Sequence, residues 1–168
     1  MEQEFRRGKM WKDDKGIEVC SETIYRETND IIDELWESGP AVRAGLTRDE
    51  VRALRFYTGP AYKPINGFLR ALQDERARHT TLDEENTWAS TVRNICQAFF
   101  KLSKSGECSQ AKETFRGING RLPDNFFVND DKGMVSYMEF GLSSTSCDEE
   151  VIDDFIDGTK PNLRITVL

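Results

Sequence analysis

With 23 Lys and Arg against 30 Asp and Glu in 168 residues, the chain has a formal net charge of −7. It therefore lacks the basic field that a general nucleic-acid or membrane-surface binder uses, although local arginines can still hold a small anionic ligand. The length suits one domain that buries about 70% of the surface its unfolded chain exposes, so a core forms without disulfide staples.

Four cysteines, Cys20, Cys96, Cys108 and Cys147, make no C-x-x-C pair and have no histidine at ligand spacing. The single histidine, His79, follows Arg76-Ala77-Arg78 near a predicted helix end, where a cation suits the helix dipole. The pattern predicts no zinc site and no disulfide framework, hence a reducing compartment. The N-terminal residues have no apolar core of signal-peptide length, and no run reaches membrane-spanning length. The expectation is a soluble chain, cytoplasmic or delivered as an effector, with no membrane partner.

In chain order, residues 21–40 predict a helix with Ile24, Thr28, Ile31, Ile32 and Leu35 on one face, stopped by Gly39-Pro40. Thr47 and Glu50 stand at capping-box spacing before a second helical face of Val51, Leu54 and Tyr57. A third stripe runs through Tyr62, Ile65, Phe68, Leu69 and Leu72. A fourth helix places Trp88, Val92, Ile95, Phe99 and Leu102 at steps of three and four, and its aromatics Trp88, Phe99 and Phe100 are expected in the core.

After residues 103–110 the period changes. Residues 112–117 and 133–146 read as β-rich, 148–157 as a short acidic helix, and 162–168 as a strand alternating Leu163, Ile165 and Val167. Helices first and strands afterwards predict an α+β fold in one domain over residues 1–168, mainly helical to 105 and β-rich from 106.

Two short stretches could carry chemistry. Arg116 is expected at the end of a strand whose Phe115 faces the core. A guanidinium held there can make two parallel bonds to a phosphate, and Gly117 beside it lets a ligand reach the backbone. On this stretch alone the plainer reading stands ahead: a surface strand residue before an Asn119-Gly120 turn. Residues 143–151 are equally two-sided. Ser146 or Asp148 can cap the acidic helix, which leaves Ser143, Ser144 and Thr145 unexplained except as turn residues. No G-x-S-x-G elbow or phosphate-cradling lysine loop occurs, and a Ser-His-Asp triad would have to recruit His79.

Together, T-F-R-G-I-N-G-R-L-P at 114–123 and F-G-L-S-S-T-S-C-D-E-E-V at 140–151 resemble the mono-ADP-ribosyltransferases of the Arg–Ser–Glu class. In that family a strand ends in arginine-glycine, and a later strand ends in a phenylalanine-led Ser-Thr-Ser followed by a helix. Residues 46–70 are similar to the helical preface of many members, notably arginine-modifying ones, so the resemblance runs from about Leu46 to the end. It implies a mainly antiparallel β core of ADP-ribosyltransferase type and an NAD-binding part within 106–168. It also implies transfer of ADP-ribose from NAD to an acceptor protein, with arginine as the acceptor side chain.

By the same resemblance Arg116 would hold the NAD pyrophosphate and Gly117 would offer its backbone to the nicotinamide carboxamide. Ser144, leading Ser144-Thr145-Ser146, would orient the ribose. The implied chemistry is cleavage of the nicotinamide–ribose bond through an oxocarbenium-like state, as in glycoside cleavage.

The sequence departs from the family over its catalytic glutamate, which lies in an acidic-x-glutamate motif on a strand after Ser-Thr-Ser. Past Ser146 the candidates are Glu149, Glu150, Asp153, Asp154 and Asp157, in or beside the acidic helix. The one literal E-x-E is Glu2–Glu4, at the opposite end, where no strand is predicted to follow. Loss of such a carboxylate costs about 10²–10⁴ in rate. The expectation is a transferase whose glutamate strand is missing or comes from a companion chain. A degenerate member that binds NAD or a protein partner is the second reading, and an unrelated α+β interaction domain the third.

Overall fold

The computed structural model describes residues 4, 10–13, 15–72, 88–106, 113–119, 127–135, 139–155 and 162–167. They belong to two compact units, Met1–Ser109 and Gln110–Leu168. The expectations resting on His79, Cys108, Gly120 and Asp157 lie outside the described residues.

In the first unit, expected to be mainly helical, two short strands form a hairpin. Strand β1 (Met10–Lys12) pairs antiparallel with β2 (Glu18–Cys20), Trp11 opposite Val19. Strands this short cannot display a period of two, and the turn carries the signal instead. Asp13 Oδ1 accepts from the N–H groups of Lys15 (2.9 Å) and Ile17 (2.8 Å), and Gly16 adopts φ +76°.

Helix α1 (Ser21–Trp36) buries Ile24, Thr28 and Ile32, with Leu35 half-buried; Ile31 is exposed. Gly39-Pro40 does more than stop it. Proline's fixed φ and absent donor suit a first helical turn, and the pair opens the short α2 (Gly39–Arg43). Helix α3 (Arg48–Tyr57) has the predicted capping box: Glu50 N–H donates to Thr47 Oγ1 (3.2 Å), and Glu50 Oε2 accepts from Thr47 N–H (2.7 Å). Helix α4 (Tyr62–Ala71) buries Ile65 and Phe68, whereas Leu72, just past its end, is exposed.

Helix α5 (Ala89–Ser105) corrects the expectation for its aromatics. Its buried positions are Thr91, Ile95 and Ala98, and Phe99 and Phe100 are 44% and 60% exposed. The stripe at helical spacing runs through the small Ala98, which admits close approach, and rotates both phenylalanines outward. Trp88 is buried as expected, edge-on to Trp11 with ring centroids 6.4 Å apart. The first turn of α5 receives no cap from Trp88. Glu4 supplies it: its carboxylate accepts from Ser90 N–H (2.9 Å), Thr91 N–H (3.1 Å) and the Thr91 hydroxyl (2.7 Å). Ile32, Ala41, Leu46, Val51 and Ala98 form a core cluster, with Leu35, Ala44, Leu54 and Leu102 packed on it.

In the second unit β3 (Thr114–Asn119) pairs antiparallel with β4 (Asn162–Val167) along its whole length, from Thr114↔Val167 to Asn119↔Asn162. A single antiparallel bridge joins Phe115 to Ser146, through Phe115 N–H to Ser146 O (2.7 Å) and Ser146 N–H to Phe115 O (2.9 Å). Helix α6 (Glu150–Phe155) contacts β3 and buries Ile152.

The β-rich expectation for 133–146 is met, among the described residues, only at Ser146. Local bonds compete with a ladder there, since Glu139 Oε1 accepts from Gly141 N–H at 2.8 Å. The architecture is α+β, and its described strands form two small antiparallel sheets, one in each unit.

Candidate active site

Arg116 lies within β3 rather than at its end, because pairing with β4 continues three residues further, to Asn119. Its register partner is Ile165, and Gly117 stands opposite Arg164. The Arg116 side chain is 20% exposed, so its guanidinium is largely withdrawn from water and needs a counter-charge. That counter-charge is Glu139, 17% exposed, with Oε2 at 3.5 Å from an Nη of Arg116.

The bridge at Phe115 brings the Ser-Thr-Ser segment against the same strand. Because the bridge is antiparallel, Thr145 and Ser144 precede Ser146 in the direction in which Arg116 and Gly117 follow Phe115. Ser144 and Thr145 are exposed, and Ser146 is half-buried. The Ser146 hydroxyl is engaged locally: it accepts from Asp148 N–H (3.0 Å), and Asp148 Oδ1 accepts from Glu150 N–H (3.0 Å). This relay leads into α6 and accounts for the capping role foreseen for Ser146 and Asp148.

The structure therefore brings Arg116 and Ser146 to neighbouring positions on one strand edge. Of the acidic candidates, Glu149, Glu150 and Asp153 are exposed at or on α6, and Glu4 of the E-x-E caps α5 in the first unit; the Asp154 side chain and Asp157 lie outside the described parts. Sequence reasoning missed Glu139. The available signal was an acid directly before Phe140, the residue that leads into Ser-Thr-Ser.

Cys20, Cys96 and Cys147 carry free thiols. Among the described residues no group of three or more His, Cys, Asp or Glu could hold a metal ion, and no helix is long and apolar enough to cross a membrane.

The family model of the ADP-ribosyltransferase exoenzymes matches residues 33–165. No curated protein and no solved structure gives a significant match. The matched span covers most of the chain and contains the helices from α2 to α5, Arg116 on β3 and the Ser-Thr-Ser segment. Members of this family use NAD as co-substrate. The chain belongs to the ADP-ribosyltransferase exoenzyme family.

Proposed function

We propose that this chain transfers ADP-ribose from NAD to an arginine side chain of an acceptor protein, as an effector or toxin. The observation that carries the reading is the Phe115–Ser146 bridge, which sets the arginine strand and the Ser-Thr-Ser segment edge to edge. The residues present fit a dinucleotide in one specific respect: a largely buried guanidinium beside a glycine offers a fork to phosphate oxygens next to approachable backbone.

In this reading Arg116 binds the pyrophosphate and Gly117 presents its backbone to the carboxamide. Ser144 orients the ribose, with Thr145 and Ser146 forming the adjoining wall. Because the Ser146 hydroxyl already serves the α6 turn, its part is to hold the segment on β3. The arginine acceptor rests on the similarity of residues 46–70 to the helical preface of arginine-modifying members.

Arg116→Ala should weaken NAD binding about ten- to a hundred-fold, since charge-assisted bonds contribute roughly 1.5–3 kcal/mol net. Calorimetric titration with NAD reads this directly, and an unchanged affinity removes Arg116 from the pyrophosphate. Nicotinamide release by the purified chain, with Arg116→Ala beside it, tests turnover.

A second reading, NAD binding without turnover, is favoured by one observation. Glu4, the described member of the only E-x-E, is committed to a helix cap, and Glu149, Glu150 and Asp153 are exposed to solvent on or beside α6. Tight binding with no Arg116-dependent release selects it.

A further inference from the structure

Glu139 stands outside every role assigned so far, yet it is the partner of the residue on which the NAD site depends. Among the described residues its carboxylate meets both Gly141 and Arg116. Oε1 accepts from Gly141 N–H at 2.8 Å, a normal bond that folds the side chain back onto its own loop. Oε2 faces the Arg116 guanidinium at 3.5 Å, a single contact at the long limit for such a pair.

Both side chains are about four-fifths withdrawn from solvent. The Arg116 charge would be costly without a counter-ion, but the contact uses little of what a guanidinium can offer, namely five donors in a planar fork. It is the one ion pair of Arg116 among the described residues. A pyrophosphate would bring more charge and a bidentate match to the fork. It would also arrive beside a carboxylate already fixed by Gly141, and like charges at close range repel.

We propose that Glu139 is the resident counter-ion of Arg116 in the unliganded protein and is exchanged for the pyrophosphate when NAD binds, so that Glu139 sets an affinity ceiling on the site. The inference rests on the reading of Arg116 as the pyrophosphate ligand. It makes Glu139 a residue that tunes affinity through Arg116, with no part in bond cleavage.

The test is calorimetric titration of the purified chain with NAD, using Glu139→Gln, Arg116→Ala and the double variant. Glutamine keeps an acceptor for Gly141 N–H while removing the charge. Glu139→Gln should therefore bind NAD about three- to ten-fold more tightly than the parent chain, the size expected when a partly solvated ion pair no longer competes. In the Arg116→Ala background the same substitution should change affinity less than two-fold, because the competition it relieves is for Arg116.

Weaker binding by Glu139→Gln, in a protein whose melting temperature matches the parent, would overturn the proposal and make Glu139 an orienting partner of Arg116. A gain that persists without Arg116 would also overturn it, since Glu139 would then act on the ligand directly. If Arg116→Ala leaves NAD affinity unchanged, the NAD-site reading itself fails, and this inference with it. Should Glu139→Gln fold poorly, Glu139→Ala tests the same direction: tighter binding supports the exchange and weaker binding refutes it.

Discussion

Glu50 shows how much one side chain can hold in this protein. Its side chain is 3% exposed and accepts from Thr47 N–H at 2.7 Å and from Lys101 Nζ at 2.8 Å, joining the start of α3 to α5. Burial alone would raise its pKa. The hydrogen bond from Lys101, the Thr47 backbone donor, the charge of Lys101 and the Thr47 side chain outweigh burial and hold the carboxyl below its ordinary value. A depressed carboxylate contributes stability that is fully present above the unfolded-state pKa and is lost as pH falls through the folded one. The parent chain should therefore lose stability on acidification below about pH 4.5, the ordinary value for the group, more steeply than Glu50→Gln does. At neutral pH, Glu50→Ala removes both the box and the Lys101 partner and should cost about 2 kcal/mol, read by urea titration. Arg116 and Glu139 form the contrasting pair, longer at 3.5 Å and more exposed than Glu50.

At the scale of elements, the tetrapeptide Asp-Asp-Lys-Gly occurs twice, at 13–16 and 130–133, and its first aspartate and its glycine adopt the same arrangement in both units. Asp130 Oδ1 accepts from the N–H groups of Lys132 and Met134, both at 2.9 Å, as Asp13 does from Lys15 and Ile17. Gly133, like Gly16, adopts φ +76°. A Cβ at either glycine would meet nothing within 4 Å, so substitution there strains only the backbone. Gly16→Ala and Gly133→Ala should each cost about 1–2 kcal/mol. Asparagine at the same positions should cost less, because its short side chain tolerates the left-handed region. Thermal melts of the four variants check the order. All the bonds of this turn are local, whereas the strands at 10–12 and 18–20 are too short to show a pattern in the sequence.

For the molecule as a whole, the division into two units bears on which part folds by itself. Every member of the Ile32–Ala98 cluster lies in Met1–Ser109, so that unit carries its apolar core within itself. A chain of residues 1–109 should therefore show a helical circular-dichroism spectrum and a cooperative thermal transition, and a non-cooperative melt would refute its independence. In the sequence the helices α1, α3, α4 and α5, the Thr47–Glu50 capping box and the arginine-glycine and Ser-Thr-Ser stretches can be read, because each depends on neighbours within one turn or one strand; α2 was hidden behind Gly39-Pro40, which reads equally as a stop. Tertiary structure decided the rest. Periodicity marks α5 as amphipathic, but which way Phe99 and Phe100 turn depends on how closely α3 approaches Ala98. The cap on α5 comes from Glu4, whose bond to Ser90 spans 86 positions, and the counter-ion of Arg116 comes from Glu139, 23 positions away. Local patterns report what a segment can form by itself. Which charge meets which is decided by the path of the chain between them, and on that path the assembly of this site depends.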